Sequence, residues 1–117
     1  MNREGNRVME LFVVMDRSLF GRGVFGIFST YTKAYEYMDQ KEGARSLCEI
    51  KKFEIHGEVI QPTYIYSAYT YIKLYDLYVL EGLYAESFDA YTAAGHNGMI
   101  IEWILDMPEH KKIVSDF

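Results

Sequence analysis

The sequence predicts an α+β fold: two tandem β-β-α-β repeats packed as a pseudo-twofold single domain around a mainly antiparallel sheet. Three observations carry this. GIFSTYTKAY at residues 26–35 returns as GLYAESFDAY at residues 82–91, and a shift of 56 residues lays Gly26 on Gly82, Ala34 on Ala90 and Tyr35 on Tyr91. Each copy follows two segments of β-branched and aromatic residues, and each helix ends at a glycine before a third such segment. The chain has 117 residues, the size of one domain. A single unit of about 50 residues buries too little surface to be stable alone, so two units closing on a shared core solve each other's problem.

The elements follow in order. VMELFVVMD (Val8–Asp16) is rich in β-formers and reads as a strand. RSLFGRG carries two glycines and reads as a hairpin connection to the strand Val24–Phe28. Ser29 or Thr30 caps the next helix. There Tyr31, Ala34, Tyr35 and Met38 fall at i, i+3, i+4 and i+7, the spacing of a buried stripe. Gly43 is placed to end the helix in a left-handed cap. SLCEIKKFEIHG returns as a strand whose alternation changes phase near Lys51 and Lys52, so a β-bulge is expected there. This first repeat spans residues 8–57, and residues 58–62 connect it to the second.

The second repeat covers residues 63–107. TYIYSAYTYI (Thr63–Ile72) is a strand, KLYD a turn and LYVLEGLY (Leu77–Tyr84) the next strand. A helix runs from Glu86 to Ala94, ended by Gly95 and Gly98. Met99–Met107 alternates, with Ile101, Trp103, Leu105 and Met107 on one face. Pro108 stops that strand, and residues 108–117 read as a loose tail. At the other end, residues 1–7 read as lying outside the fold, and Met9 is a second candidate initiator beside Met1. The strand glycines, Gly26 and Gly82, are costly in a sheet and are expected to admit a close approach from the helix or the other half.

Composition narrows the function. The net charge is −5, which argues against binding phosphate backbones. One cysteine, Cys48, rules out an internal disulfide and suits a cytosolic protein. No apolar run approaches the ~20 residues of a membrane span, and the polar start lacks the apolar core of a signal peptide.

The segment FVVMDRSLFGRGVFGIFSTYTKAYEYM, with Gly26, Ile27, Phe28, Ser29, Thr30 and Ala34 and with KKFEIHG closing, resembles a family of small uncharacterised domains common in bacterial and phage genomes. The resemblance covers residues 9–57. Its second-half counterpart, GLYAES, departs from the pattern. The resemblance implies a fold and a phage or bacterial setting, and it brings no activity or catalytic residues.

The search for chemistry finds no catalytic residues, no metal site and no cofactor site. His56, His96, His110 and Cys48 lack ligand spacing. GRGVFG is followed by a strand, whereas a dinucleotide fingerprint opens into a helix. The carboxylates Asp16, Glu81, Glu86, Asp89, Glu102 and Asp106 read as solvated surface. The unusual feature is tyrosine: eight of eleven lie between Tyr64 and Tyr91. In the strand Thr63–Ile72, Tyr64 and Tyr66 point to one face and Tyr69 and Tyr71 to the other unless a bulge intervenes, so one pair joins the core, and the other either forms a binding or oligomer face or is covered in turn by a helix, the other half or a second chain.

The expected function is a non-enzymatic protein-binding module, phage-encoded and cytoplasmic, that docks on and inhibits a host or defence protein or self-associates. Tyr64, Tyr66, Tyr69 and Tyr71 are its candidate contact residues. The alternative is a small-ligand protein that sequesters a nucleotide between the tyrosine strand and Arg22 or Lys73.

Overall fold

A computed structural model describes residues 9–17, 23–40, 47–57 and 64–116. The described residues form a mixed α+β domain with one seven-stranded, mostly antiparallel sheet and two helices. The elements are β1 (Glu10–Asp16), β2 (Val24–Phe28), α1 (Tyr31–Gln40), β3 (Cys48–His56), β4 (Tyr64–Ile72), β5 (Leu77–Tyr84), α2 (Ser87–Ala94), β6 (Met99–Ile104) and β7 (Met107–Asp116). The strand order is β2-β1-β3-β5-β4-β6-β7. Only β3 and β5 run parallel, joined through Ile55 opposite Leu83 and His56 opposite Tyr84.

The sheet curls until its two ends meet. The Asp106 amide, in the β6–β7 turn, donates to the Ile27 carbonyl of edge strand β2 at 2.9 Å. Inside the curl lies the main core: Leu11, Val13 and Met15 from β1, Ile27, Ile55, Ile65, Tyr69, Leu83 and Trp103. Each helix covers a smaller cluster on the outer face. Ala34 of α1 packs with Val14, Phe28 and Cys48. Ala90 and Ala94 of α2 pack with Ala68 and Ile100. A small side chain at the contact lets each helix lie close to its strands, with dispersion gained over the whole interface.

β2 and β5 each carry one extra residue, and β7 also shifts register against β6. Val14 faces Gly26 while Met15 faces Val24, so Phe25 is bulged out of β2. Ala68 faces Gly82 while Tyr69 faces Leu80, so Glu81 is bulged out of β5. The glycine beside each bulge serves an aromatic ring two residues on. A methyl group on Gly26 would stand 2.8 Å from the Phe28 ring and from Pro108, and one on Gly82 would stand 3.3 Å from Tyr84. The expected close approach therefore comes from the strand's own ring and, at Gly26, also from the far end of the sheet; neither helix is the cause.

Several expectations are corrected. β3 has no bulge towards β1: pairing runs without a break from Glu10–Glu54 to Asp16–Cys48. The phase change is genuine, and each half of the strand has its own cover. Cys48 and Ile50 meet the α1 cluster on one face, while Phe53 and Ile55 meet the main core on the other. On α1 the buried stripe is Ala34, Tyr37 and Met38; Tyr31 and Tyr35 are exposed and stack on each other at 6.4 Å. The supposed tail is strand β7, paired antiparallel with β6 across a turn at Leu105–Asp106. Its polar residues suit a sheet edge, and the Lys111 ammonium lies 5.7 Å from the Trp103 ring centre. Gly95 does end α2, at φ 81°, and Thr30 does cap α1, its hydroxyl accepting from the Lys33 amide at 3.1 Å. Gly43, the connector at residues 58–62, the N-terminal residues 1–7 and most of the β1–β2 connection lie outside the described residues.

Candidate functional site

β4 holds a strict alternation, because the bulge beside it belongs to β5. Ile65, Ser67 and Tyr69 face the main core; Tyr64, Tyr66 and Ala68 face outward. Tyr69 is therefore a core residue, not a contact residue: it is 1% exposed, and burial pushes its phenol up to about 12. Beside it, fully buried Ser67 accepts from Trp103 Nε1 at 2.8 Å and donates to the Ile101 carbonyl at 3.3 Å, with the Tyr69 hydroxyl 3.2 Å away. This network satisfies every polar group that the core encloses there.

On the outer face, a row runs straight across five strands. His56 of β3 is opposite Tyr84 of β5, Tyr84 is opposite Tyr66 of β4, Tyr66 is opposite Glu102 of β6, and Glu102 is opposite Lys112 of β7. His56 stacks on Tyr84 with centres 4.8 Å apart. The Tyr66 hydroxyl donates to Glu102 Oε2 at 3.1 Å, and the Tyr84 hydroxyl donates to Glu81 Oε1 at 2.6 Å. Tyr64, one step along the same face of β4, is 49% exposed. The short helix α2 covers Ala68 and Ile100, and Tyr66 and Tyr84 pack half-buried against that cluster.

The electrostatics of the row are one-sided. Partial burial, the hydrogen bond to Glu102 and the charges of Glu102 and Glu86 hold the Tyr66 phenol above its ordinary value. Partial burial, the bond to Glu81 and the charges of Glu81 and Asp89 push Tyr84 up to about 12. Both phenols thus stay neutral, and Glu81, Glu86, Asp89 and Glu102 carry the charge. Among the described residues none of these four makes an ion pair.

The remaining predicted contacts do not join the row. Tyr71 stands at the far end of β4, beside Tyr78 with ring centres 5.2 Å apart. Its hydroxyl donates to Asp76 Oδ1 at 2.5 Å, which raises the phenol's pKa. Lys73 sits in the β4–β5 turn and is exposed. Arg22 lies outside the described residues. Lys73 follows the Tyr71 end of β4 and so stands at the opposite end of the strand from Tyr64 and Tyr66. A groove of about 480 Å³ does lie between α1 and the β6–β7 hairpin. Its charged lining is Glu36, Asp106 and Glu109 against Lys33, a balance that opposes an anionic ligand.

Sequence reasoning missed Tyr84, His56, Glu81 and Glu102. Glu102 lies opposite Tyr66 only once β6 is known to pair with β4. The one local signal was the parity that puts Glu102 on the face away from Trp103. Among the described residues, no group of three or more His, Cys, Asp or Glu is placed to hold a metal ion, and no helix is long and apolar enough to cross a membrane. No protein family matches the chain, and neither a curated protein nor a solved structure is significantly similar to it.

Proposed function

We propose that this chain is a non-enzymatic protein-binding module that docks through the open outer face of β3–β5–β4–β6. The observation that carries the reading is the row in which half-buried Tyr66 and Tyr84 stand beside exposed Tyr64 and are edged by carboxylates. Tyrosine gives a contact surface rigid area with a polar tip. Here two of the tips are held by Glu81 and Glu102, so their rings lose little freedom on binding. The phage setting, cytoplasmic location and inhibition of a host or defence protein rest on the resemblance of residues 9–57 and belong to the same proposal. Affinity capture from bacterial lysate tests it. Wild type should retain a protein that Tyr64→Ala, at a half-exposed position, releases while keeping its melting temperature. Equal retention by the variant would refute this face as the contact.

The tandem arrangement belongs to the same reading. In this view β1-β2-α1-β3 and β4-β5-α2-β6 are two copies of one unit, and β7 is an addition. Support comes from features that recur at a spacing of 56 residues: the bulges at Phe25 and Glu81, the glycines at 26 and 82, the rings of Phe28 and Tyr84, and the buried Ala34 and Ala90. Gly57, at φ 107°, packs against Ala85, and Asp106, at φ 66°, bonds to Ser29, which is the position matching Ala85. A chain closed on itself in this way presents one tyrosine face per molecule.

A further inference from the structure

Resting on the docking reading above, we infer that the partner offers this face a basic, arginine-bearing protein segment. The first ground is charge. Glu81, Glu86, Asp89 and Glu102 act on the phenols of Tyr66 and Tyr84, and among the described residues no Lys or Arg pairs with any of them. Lys112 is the register partner of Glu102 across β6–β7 and yet forms no ion pair with it. The net charge of the whole chain is only −5, so four uncompensated carboxylates beside one row concentrate its acidity.

The second ground is spacing. These carboxylates do not converge: no three of them form a group able to hold a metal ion. They are strung along the row, which suits several cationic side chains of one extended segment. The third ground is the rings. A planar guanidinium stacks on a tyrosine face while its fork donates to an adjacent carboxylate, whereas a lysine ammonium does only part of this. Tyr66 beside Glu102 supplies that pairing, while the Tyr84 ring is already stacked on His56 and offers its neighbour Glu81 alone. Exposed Tyr64 adds apolar contact area for a polypeptide.

The test uses the full chain and three nonapeptides, of arginine, lysine and glutamate. Backbone amide shifts on titration should move at Tyr64, Tyr66, Tyr84 and Glu102 with the arginine peptide, less with lysine and not with glutamate. Glu81→Gln with Glu102→Gln, which keeps the acceptors and removes the charge, should weaken arginine-peptide binding about tenfold. Binding of equal strength to that variant, or shifts confined to other surfaces, would overturn the inference. Lysate capture separates this failure from failure of docking itself. A protein lost by Tyr64→Ala but kept by the double Gln variant overturns the basic partner and leaves the docking face standing. A protein indifferent to both variants removes the docking face.

Discussion

Asp106 holds the two ends of the sheet together, and its substitution separates two contributions that usually arrive mixed. Its Oδ1 accepts from the Ser29 amide at 2.7 Å, and its Oδ2 accepts from the Ser29 hydroxyl at 2.8 Å and lies 3.3 Å from Lys33 Nζ. Its backbone sits at φ 66°, where a residue with a Cβ but no local hydrogen bond costs about 1 kcal/mol. The Lys33 pair is more than half exposed on the lysine side and contributes little, under about 0.5 kcal/mol. The two bonds to an ionised acceptor contribute about 2 kcal/mol between them at this partly exposed site. Asp106→Asn keeps an acceptor and tolerates the left-handed backbone, so it should cost about 1 kcal/mol. Asp106→Gly loses both bonds without backbone strain, about 2 kcal/mol. Asp106→Ala loses both and adds the strain, about 3 kcal/mol. At about 4 °C per kcal/mol for a chain of this length, the three melting temperatures should fall in the order Asn, Gly, Ala, spread over roughly 8 °C. A glycine variant less stable than the alanine variant would refute the role given to the backbone, and three losses under about 0.5 kcal/mol would refute the clasp.

Other outcomes follow from the same geometry. Removing residues 108–117 should unfold the chain or shift its single tryptophan to the red, because β7 covers Trp103; a truncated form with unchanged fluorescence and melting would restore the reading of a tail. Tyr69 and Tyr84 ionise near 12 in the folded chain, above the ordinary phenol value of about 10. Their contribution to stability is therefore complete below pH 10 and is lost between about 10 and 12 as the unfolded phenols deprotonate first. Denaturant midpoints measured from pH 8 to 12 should fall across that window, less steeply in Tyr69→Phe, and a flat profile would contradict the burial of Tyr69. Gly26→Ala should cost about 1–3 kcal/mol, since its methyl meets both the Phe28 ring and Pro108. Gly82→Ala should be near neutral, and equal losses by chemical denaturation would refute the difference between the two sites.

Much of the fold was legible because its signals are local. The β4–turn–β5 hairpin is written in a ten-residue run with eight aromatic or β-branched residues, a KLYD turn with Asp76 at φ 52° and a second apolar run. Where the reading failed, the missing fact was a distant neighbour. Periodicity placed Ala34 and Met38 correctly on the α1 stripe but put Tyr31 and Tyr35 there in place of Tyr37, because a tyrosine fits either a core edge or a surface. The chosen stripe was the one that puts Ala34 against β1 and leaves room for Tyr37 on Phe28. The phase change in β3 was visible, but its cause, two cores on opposite faces of one strand, depends on where α1 lies. β7 looked like a tail because edge strands are polar by design. At the candidate site, the parity of the β4 tyrosines was correct, yet which pair would be buried depended on the curl of the sheet and the length of α2.

The outer faces of the N-terminal and C-terminal halves of the chain are covered to different extents. On β1, Phe12 stands between Phe28 and Lys52, just as Tyr66 on β4 stands between Tyr84 and Glu102. On the first half, the ten-residue α1 brings Tyr37 to 5.2 Å from the Phe28 ring, and Phe28 is 3% exposed. Tyr31 closes over Phe12 edge-on at 6.1 Å, and Lys52 pairs with Glu10. Aromatic packing and charge are both answered internally there. On the second half, Tyr66 and Tyr84 pack only half-buried against the cluster under the eight-residue α2, their hydroxyls find carboxylate partners, and Glu102 faces Tyr66 where Lys52 faces Phe12. A buried pair of phenols would have needed acceptors in a closed site; an open row satisfies them with surface carboxylates instead. The tyrosines of this face therefore bring carboxylates, and with them charge, to it. Tyr66→Phe with Tyr84→Phe tests that link. It removes both hydroxyls without changing ring area, and should stabilise the chain or leave it unchanged while weakening capture of a partner. A large loss of stability would mean that the phenol–carboxylate bonds serve the fold and not the surface.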